Sequence, residues 1–249
     1  MNPTDQQIIV IHGLGRSPRS MLKIERFLLK RGYRVLNIGY SSLTKQVEPM
    51  LTQLLSRIDA WINPDMPVHF VGHSFGGYNI RVFTANHPEK VKGMVLVDAS
   101  HEDQYDRFQI SLPQNYNRRS NILVLPKTSG GEKHMNKPRV LRERSFHAAR
   151  AEISSLSQSA KQVQENRQIP DMPLVIVSRG MPEWFGDLSQ QTREKTWTDL
   201  QQELYLLSPN SQHVFAHESG HDIPQKQPQI IVDAINNVIE QSRNLNPGG

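Results

Sequence analysis

The sequence predicts an α/β protein in which helices cover both faces of a mainly parallel sheet. Three observations predict it. Short β-branched apolar runs recur along the chain, segments with apolar residues at helical spacing separate them, and two of the runs end in glycine-rich turns, HGLG at 12–15 and GHSFGG at 72–77. Strands that alternate with helices pair in parallel, and a strand buried on both faces reads as a continuous apolar run.

The elements follow in order. Ile8 to Ile11 form the first run and stop at HGLG, as a buried strand does. Residues 20–31 carry Met21, Leu22, Ile24, Phe27, Leu28 and Leu29 at near-helical spacing, with Gly32 as a stop. YRVLNIGY at 33–40 is a second strand, and 47–62 is a second helix with Val47, Met50, Leu51, Leu54, Leu55, Ile58 and Ile62 on one face. VHFVG at 68–72 is a third strand running directly into HSFGG. A helix over 77–86, a turn at NHPEKV and a strand at 93–100 come next. PLVIVS at 173–178 and HVFAHESGH at 213–221 read as further strands, with a helix at 196–208 between them. QIIVDAINNVIEQS at 229–242 is the closing helix.

Residues 101–170 break this rhythm. They are more polar, contain SGGEKHMNKP and carry a helix-prone stretch from Val140 to Arg167. Their position between two sheet strands predicts a cap inserted above a core domain built from 1–100 and 171–249.

Composition narrows the chemistry. A chain of 249 residues fits one large α/β domain. There is no cysteine, which excludes disulfides, thiolate metal sites and a cysteine nucleophile. The net charge of +5 invites a nucleic-acid partner, but the bases are scattered and no binding motif accompanies them, so a solvated basic surface is expected instead. The N-terminus has no basic region and its apolar run IIVI is short for a signal peptide or a span, so a cytoplasmic protein without a membrane span is expected.

The strongest chemical signal is Gly72-His73-Ser74-Phe75-Gly76, a G-x-S-x-G pattern between a strand and a helix. Its glycines let the backbone close into a strained turn that lifts the serine hydroxyl above the sheet and starts a helix at the reaction centre. Ser74 is therefore the candidate nucleophile. Acyl transfer builds negative charge on a carbonyl oxygen, which two backbone N–H groups must already face. Phe75 offers one. Leu14 is the candidate for the other, because Gly13 and Gly15 let its loop pass close to the serine. His12 reads as a histidine holding that turn.

Serine needs a base that titrates near neutrality, the usual task of histidine. Of ten histidines, His221 stands in a loop after the last strand and after both other candidate members in chain order. His213 and His217 fall within or before that strand, and the side chain of His73 is expected to point away from the reaction. A carboxylate must orient the imidazole. Asp98 closes the strand GMVLVD and is favoured. Glu183 and Asp187, in RGMPEWFGD, remain alternatives, whereas Asp222 is too close to His221 to reach its ring.

Together these motifs resemble the α/β-hydrolase superfamily over nearly the whole chain. HGLGRSPRSM with GYRVLNIGY is similar to bacterial lipase and esterase-type members. VKGMVLVDASHEDQ, SGHDI and QPQIIVDAI are similar to another esterase-like subgroup. The resemblance implies an eight-stranded sheet, a Ser-Asp/Glu-His triad, no metal or cofactor, and a lid where 101–170 lies. In most members the acid follows the seventh strand and in some lipases the sixth, and RGMPEWFGD lacks a clear G-x-x-D. Members that open epoxides or displace halide carry aspartate as nucleophile, so Ser74 points to acyl transfer. The implied function is hydrolysis of a small-molecule carboxylic ester. The alternatives are a C–C bond or thioester hydrolase with the same triad, and a slow hydrolase-like receptor. Phe108, Ile110, Leu112, Tyr116, Phe146 and Leu156 are expected to line an acyl pocket or to form the lid's own core.

Overall fold

The computed structural model describes residues 3–39, 50–110, 156 and 158–245. Within them the apolar runs pair into one sheet. Its strands are β1 (Gln7–Ile11), β2 (Arg34–Ile38), β3 (Val68–His73), β4 (Val91–Val97), β5 (Leu174–Arg179) and β6 (Ser211–Ala216). Every described pair is parallel, in the order β2-β1-β3-β4-β5-β6. The helices are α1 (Leu22–Lys30), α2 (Met50–Trp61), α3 (Gly76–Asn86), α4 (Gln104–Arg107), α5 (described over 158–165), α6 (Leu188–Tyr205), α7 (Ile223–Lys226) and α8 (Pro228–Leu245).

The two-residue alternation of a strand explains why these runs are apolar throughout. Ile9, Ile11, Phe70, Met94, Leu96 and Ile176 face one layer, where they pack with Ile58 of α2, with Tyr78, Ile80 and Phe83 of α3, and with Leu156, Ala160 and Val163. Ile8, Val10, Val71, Val95, Val97 and Val177 face the other, against Ile24 and Leu28 of α1 and Ile231, Ile235 and Val238 of α8. Each fully buried aliphatic side chain contributes roughly 1.5–3 kcal/mol, so both layers are needed to hold the sheet.

The expected elements appear with shifted ends. The described residues hold six strands where eight were expected; ahead of β1, Pro3–Asp5 form a 3-10 turn. The helix expected from residue 20 opens as a 3-10 turn over Pro18–Met21. The helix expected at 196–208 begins eight residues earlier, at Leu188, because the Asp187 side chain accepts the Gln190 amide (3.0 Å) and caps it. The strand expected at 213–221 ends at Ala216, which leaves His221 in a loop. Much of 101–170 lies outside the described residues, including Leu112, Tyr116 and Phe146.

The strand order positions the site. From β1 the chain moves outward to β2, then returns across β1 to β3, so order reverses between β1 and β3. The carboxyl end of the strands at such a reversal is the usual binding position in an open parallel sheet.

Candidate active site

Ser74 stands at this switch point, one residue beyond β3. It is the one residue between 68 and 84 that is not buried. Its φ is +53°, in the left-handed region that a side chain rarely adopts. Hydrogen bonds from Ser74 N to Val97 O (3.0 Å) and from Ser100 N to Ser74 O (3.0 Å) hold that turn against the end of β4. A Cβ on Gly76 would lie 2.5 Å from the Ile11 carbonyl oxygen, so only glycine lets α3 start this close to β1.

The HGLG loop reaches the serine from β1. A Cβ on Gly13 would lie 2.8 Å from Ser74 Cβ and 3.3 Å from Ser74 Oγ. His12 Nδ1 donates to the Gly13 carbonyl (2.8 Å), and burial lowers its pKa, so a neutral ring braces the turn. Leu14, next in the loop, is half-buried against the core.

Asp98 follows β4 and also has a positive φ, +39°, with its amide bonded to Val177 O on β5 (2.7 Å). Its carboxylate is fully buried and collects four donors. Oδ2 accepts from His221 Nδ1 (2.5 Å) and from an Arg179 guanidinium N–H (3.2 Å). Oδ1 accepts from the Trp197 indole (2.9 Å) and the Arg179 amide (3.4 Å). Burial alone would raise the pKa of this group; the His221 hydrogen bond and charge, then Arg179 and Trp197, outweigh it and hold Asp98 well below the usual carboxylate range. An ionised carboxylate only accepts, so in this contact His221 carries a proton on Nδ1.

The three acid candidates thus separate by what they touch. Asp98 reaches the His221 ring, Glu183 Oε1 accepts the His221 backbone amide (2.6 Å), and Asp187 caps α6. The His221 carbonyl accepts from His73 Nε2 (2.8 Å), which makes His73 a donor, and burial brings the pKa of His73 down to about 3. Among the described residues no hydrogen bond joins Ser74 Oγ to His221. The link between them runs through His73, adjacent to Ser74, whose ring lies 4.8 Å from that of His221. Such contacts commonly tighten only with substrate bound. His213 sits within β6, bonded to Ser178 Oγ (2.8 Å), away from this group.

The sequence reading missed Arg179, Glu194 and Trp197. Arg179 pairs with Glu194 through Nε (3.0 Å) as well as with Asp98, and lies 4.9 Å from the centre of the Trp184 and of the Trp197 ring. Their signal was available: an arginine that ends the apolar strand LVIVSR needs a buried partner. One group of possible metal ligands occurs among the described residues, His101, Asp103 and Glu203. Arg167 already bonds Asp103 (2.6 Å), Arg107 bonds Glu203 (2.9 Å), and His101 Nδ1 accepts the Asp103 amide (3.1 Å).

Among the described residues no helix is long and apolar enough to cross a membrane. In sequence, the chain is 28% identical over 113 residues to norfluorocurarine synthase 1 of Strychnos nux-vomica, a match covering 40% of this chain and 42% of that protein. The chain therefore spans less than half the length of this curated relative. In structure it is similar to tomato methylketone synthase I, at a TM-score of 0.61 and 13% identity, over 95% of this chain and 98% of that one. A methylesterase from Arabidopsis superposes with a TM-score of 0.55 at 15% identity, over 94% and 98% of the two chains. Residues 62–188, just over half of the chain, match the alpha/beta hydrolase fold family, and the chain belongs to that family.

Proposed function

We propose that this protein is a serine hydrolase that cleaves carboxylic esters through an acyl-enzyme on Ser74, with His221 as base and Asp98 as acid. The observation that carries this reading is the 2.5 Å contact between the buried Asp98 and His221 Nδ1 at the same sheet edge as the strained, part-exposed Ser74.

The chemistry follows from the geometry. Asp98 fixes the Nδ1–H tautomer, leaving Nε2 to take the Ser74 proton as Oγ attacks the ester carbonyl. The backbone amides of Phe75 and Leu14 bind the oxyanion. Collapse of the tetrahedral intermediate expels the alcohol, which leaves with the proton from His221. Water, activated by the same nitrogen, then cleaves the acyl-enzyme and frees the acid. No metal or cofactor enters these steps.

The test is hydrolysis of p-nitrophenyl esters from acetate to palmitate by wild type, Ser74→Ala, His221→Ala and Asp98→Asn. Turnover that disappears in the serine and histidine variants and falls by about 10⁴ in Asp98→Asn is the expected result. Normal turnover in Asp98→Asn would transfer the acid's role to Glu183, and wild-type activity in His221→Ala would remove it as the base. A folded wild type inert on every ester would favour the C–C bond or thioester reading, which uses the same three residues.

A further inference from the structure

Asp98 does not serve His221 alone. The same Oδ2 that accepts the imidazole N–H also accepts from Arg179, whose side chain is 4% exposed and whose other face is paired with Glu194 through two bonds of 3.0 Å each. The Trp184 and Trp197 rings, 6.2 Å apart and edge to face, form the corner that holds the guanidinium. Glu194 Oε2 also accepts the amides of Glu183 and Trp184 (3.1 and 3.2 Å), and Glu183 in turn holds the His221 amide. A hydrogen-bonded chain therefore runs from the acid through Arg179 and Glu194 back to the backbone of the base.

This arrangement is costly for a merely structural role. A buried arginine beside the acid of a triad cancels part of the negative charge that favours the imidazolium formed during the reaction. Glu194, on the far side, restores part of it. We infer that Arg179 is a positioning residue that, balanced by Glu194, sets the charge Asp98 presents to His221 and so the pH at which Ser74 becomes nucleophilic. This inference rests on the Ser74–His221–Asp98 reading. The other charged or titratable groups facing His221 are His73 from β3, Glu183 after β5, Asp222 beside it in the chain, and Arg16, which acts on His73 from the loop after β1. None of them bonds to both Asp98 and Glu194; Arg179 does.

The test uses a fluorophosphonate, so it does not depend on finding the natural ester. Ser74 Oγ forms a P–O bond, fluoride leaves, and the serine proton passes to His221. The second-order labelling rate is measured from pH 4 to 9 for wild type, Arg179→Gln, Arg179→Lys and Glu194→Gln. The acid limb is expected to move up by about one pH unit in Arg179→Gln and down by about half a unit in Glu194→Gln, while Arg179→Lys stays near wild type. Shifts in opposite directions are not produced by loosened packing, which lowers the rate without moving the limb. Labelling confined to Ser74 with one acid limb in all variants would overturn the role of Arg179. Labelling that persists in Ser74→Ala would instead overturn the triad reading beneath it. If Arg179→Gln does not fold, Glu194→Gln decides: an unmoved limb rejects the inference, and a downward shift supports it.

Discussion

Ser74 and Asp98 both occupy left-handed backbone, at φ of +53° and +39°. Strain of this kind costs on the order of 1–3 kcal/mol per residue and persists only where neighbouring bonds over-determine it. Here those bonds come from the next strand in each case, Val97 O for Ser74 and Val177 O for Asp98. The strain therefore aims both side chains out of the same edge. The HGLG loop is held to a comparable tolerance. In Gly13→Ala the new methyl would sit 2.8 Å from Ser74 Cβ and push the loop off the serine. We expect kcat to fall about 10²-fold, the scale of losing one oxyanion donor. Thermal unfolding alongside ester turnover checks this, since a folded variant with full kcat would dismiss the loop's role.

At the scale of elements, α6 does more than cover the sheet. It brings Glu194 to Arg179 and Trp197 to Asp98 at one end of β5, and buries Leu200 and Leu204 further along. Its first turn depends on Asp187, whose side chain accepts the Gln190 amide. Asp187→Ala should cost about 1 kcal/mol, seen as a drop in Tm of roughly 2–4 °C for a domain of this size. Turnover at a temperature where the variant is folded should match wild type, because Asp187 touches neither Ser74 nor His221. A loss approaching that of Asp98→Asn would return Asp187 to consideration as the acid. The loop between β5 and α6 is also where an exposed row of Met181, Phe185 and Leu188 meets solvent near the aromatic cluster of Phe108, Trp184 and Trp197.

The whole molecule carries its charge burden in histidines as well as in acids. His69 is fully buried in β3 and donates from Nε2 to Ser242 Oγ (3.1 Å), whose own proton goes to the Ile239 carbonyl (2.8 Å). Burial, then the Arg243 and Lys92 charges, lowers its pKa from 6.5 to about 3, and burial does the same to His73. Between those values the unfolded chain binds a proton on each residue and the folded chain does not. Stability is therefore intact above pH 6.5 and falls as pH drops toward about 3, by about 1.4 kcal/mol per pH unit for each histidine. The depressed Asp98 adds to the loss below its unfolded value of 3.8. His69→Gln should remove one histidine's share of that slope. Urea unfolding at pH 7, 6 and 5 measures it, and a slope equal to wild type would show that His69 is not a source of acid sensitivity.

How much of this was legible in the sequence follows from the range of the interactions. Strands and helices are local: Ile8 to Ile11, the glycines around Ser74 and the apolar stripe of α8 state their periods within a few residues. The elbow is local too, because the serine, its glycines and the helix start are consecutive. The positions of Ser74, Asp98 and His221 after strands were readable for the same reason. The starting point of α6 was missed although its capping aspartate was in view, because LSQQTREK carries little apolar periodicity. The choice among Asp98, Glu183 and Asp187 was not local. Each is a carboxylate after an apolar strand, and only the parallel register of β4 on β5, with α6 packed beside them, sets Asp98 against the ring of a histidine 123 residues away. Arg179 and Trp197 reach that carboxylate across 81 and 99 residues. Sequence determined which residues could act, since chemical type and local backbone are written within a few positions; tertiary structure decided which of them meet, since burial and register assign partners across the whole chain.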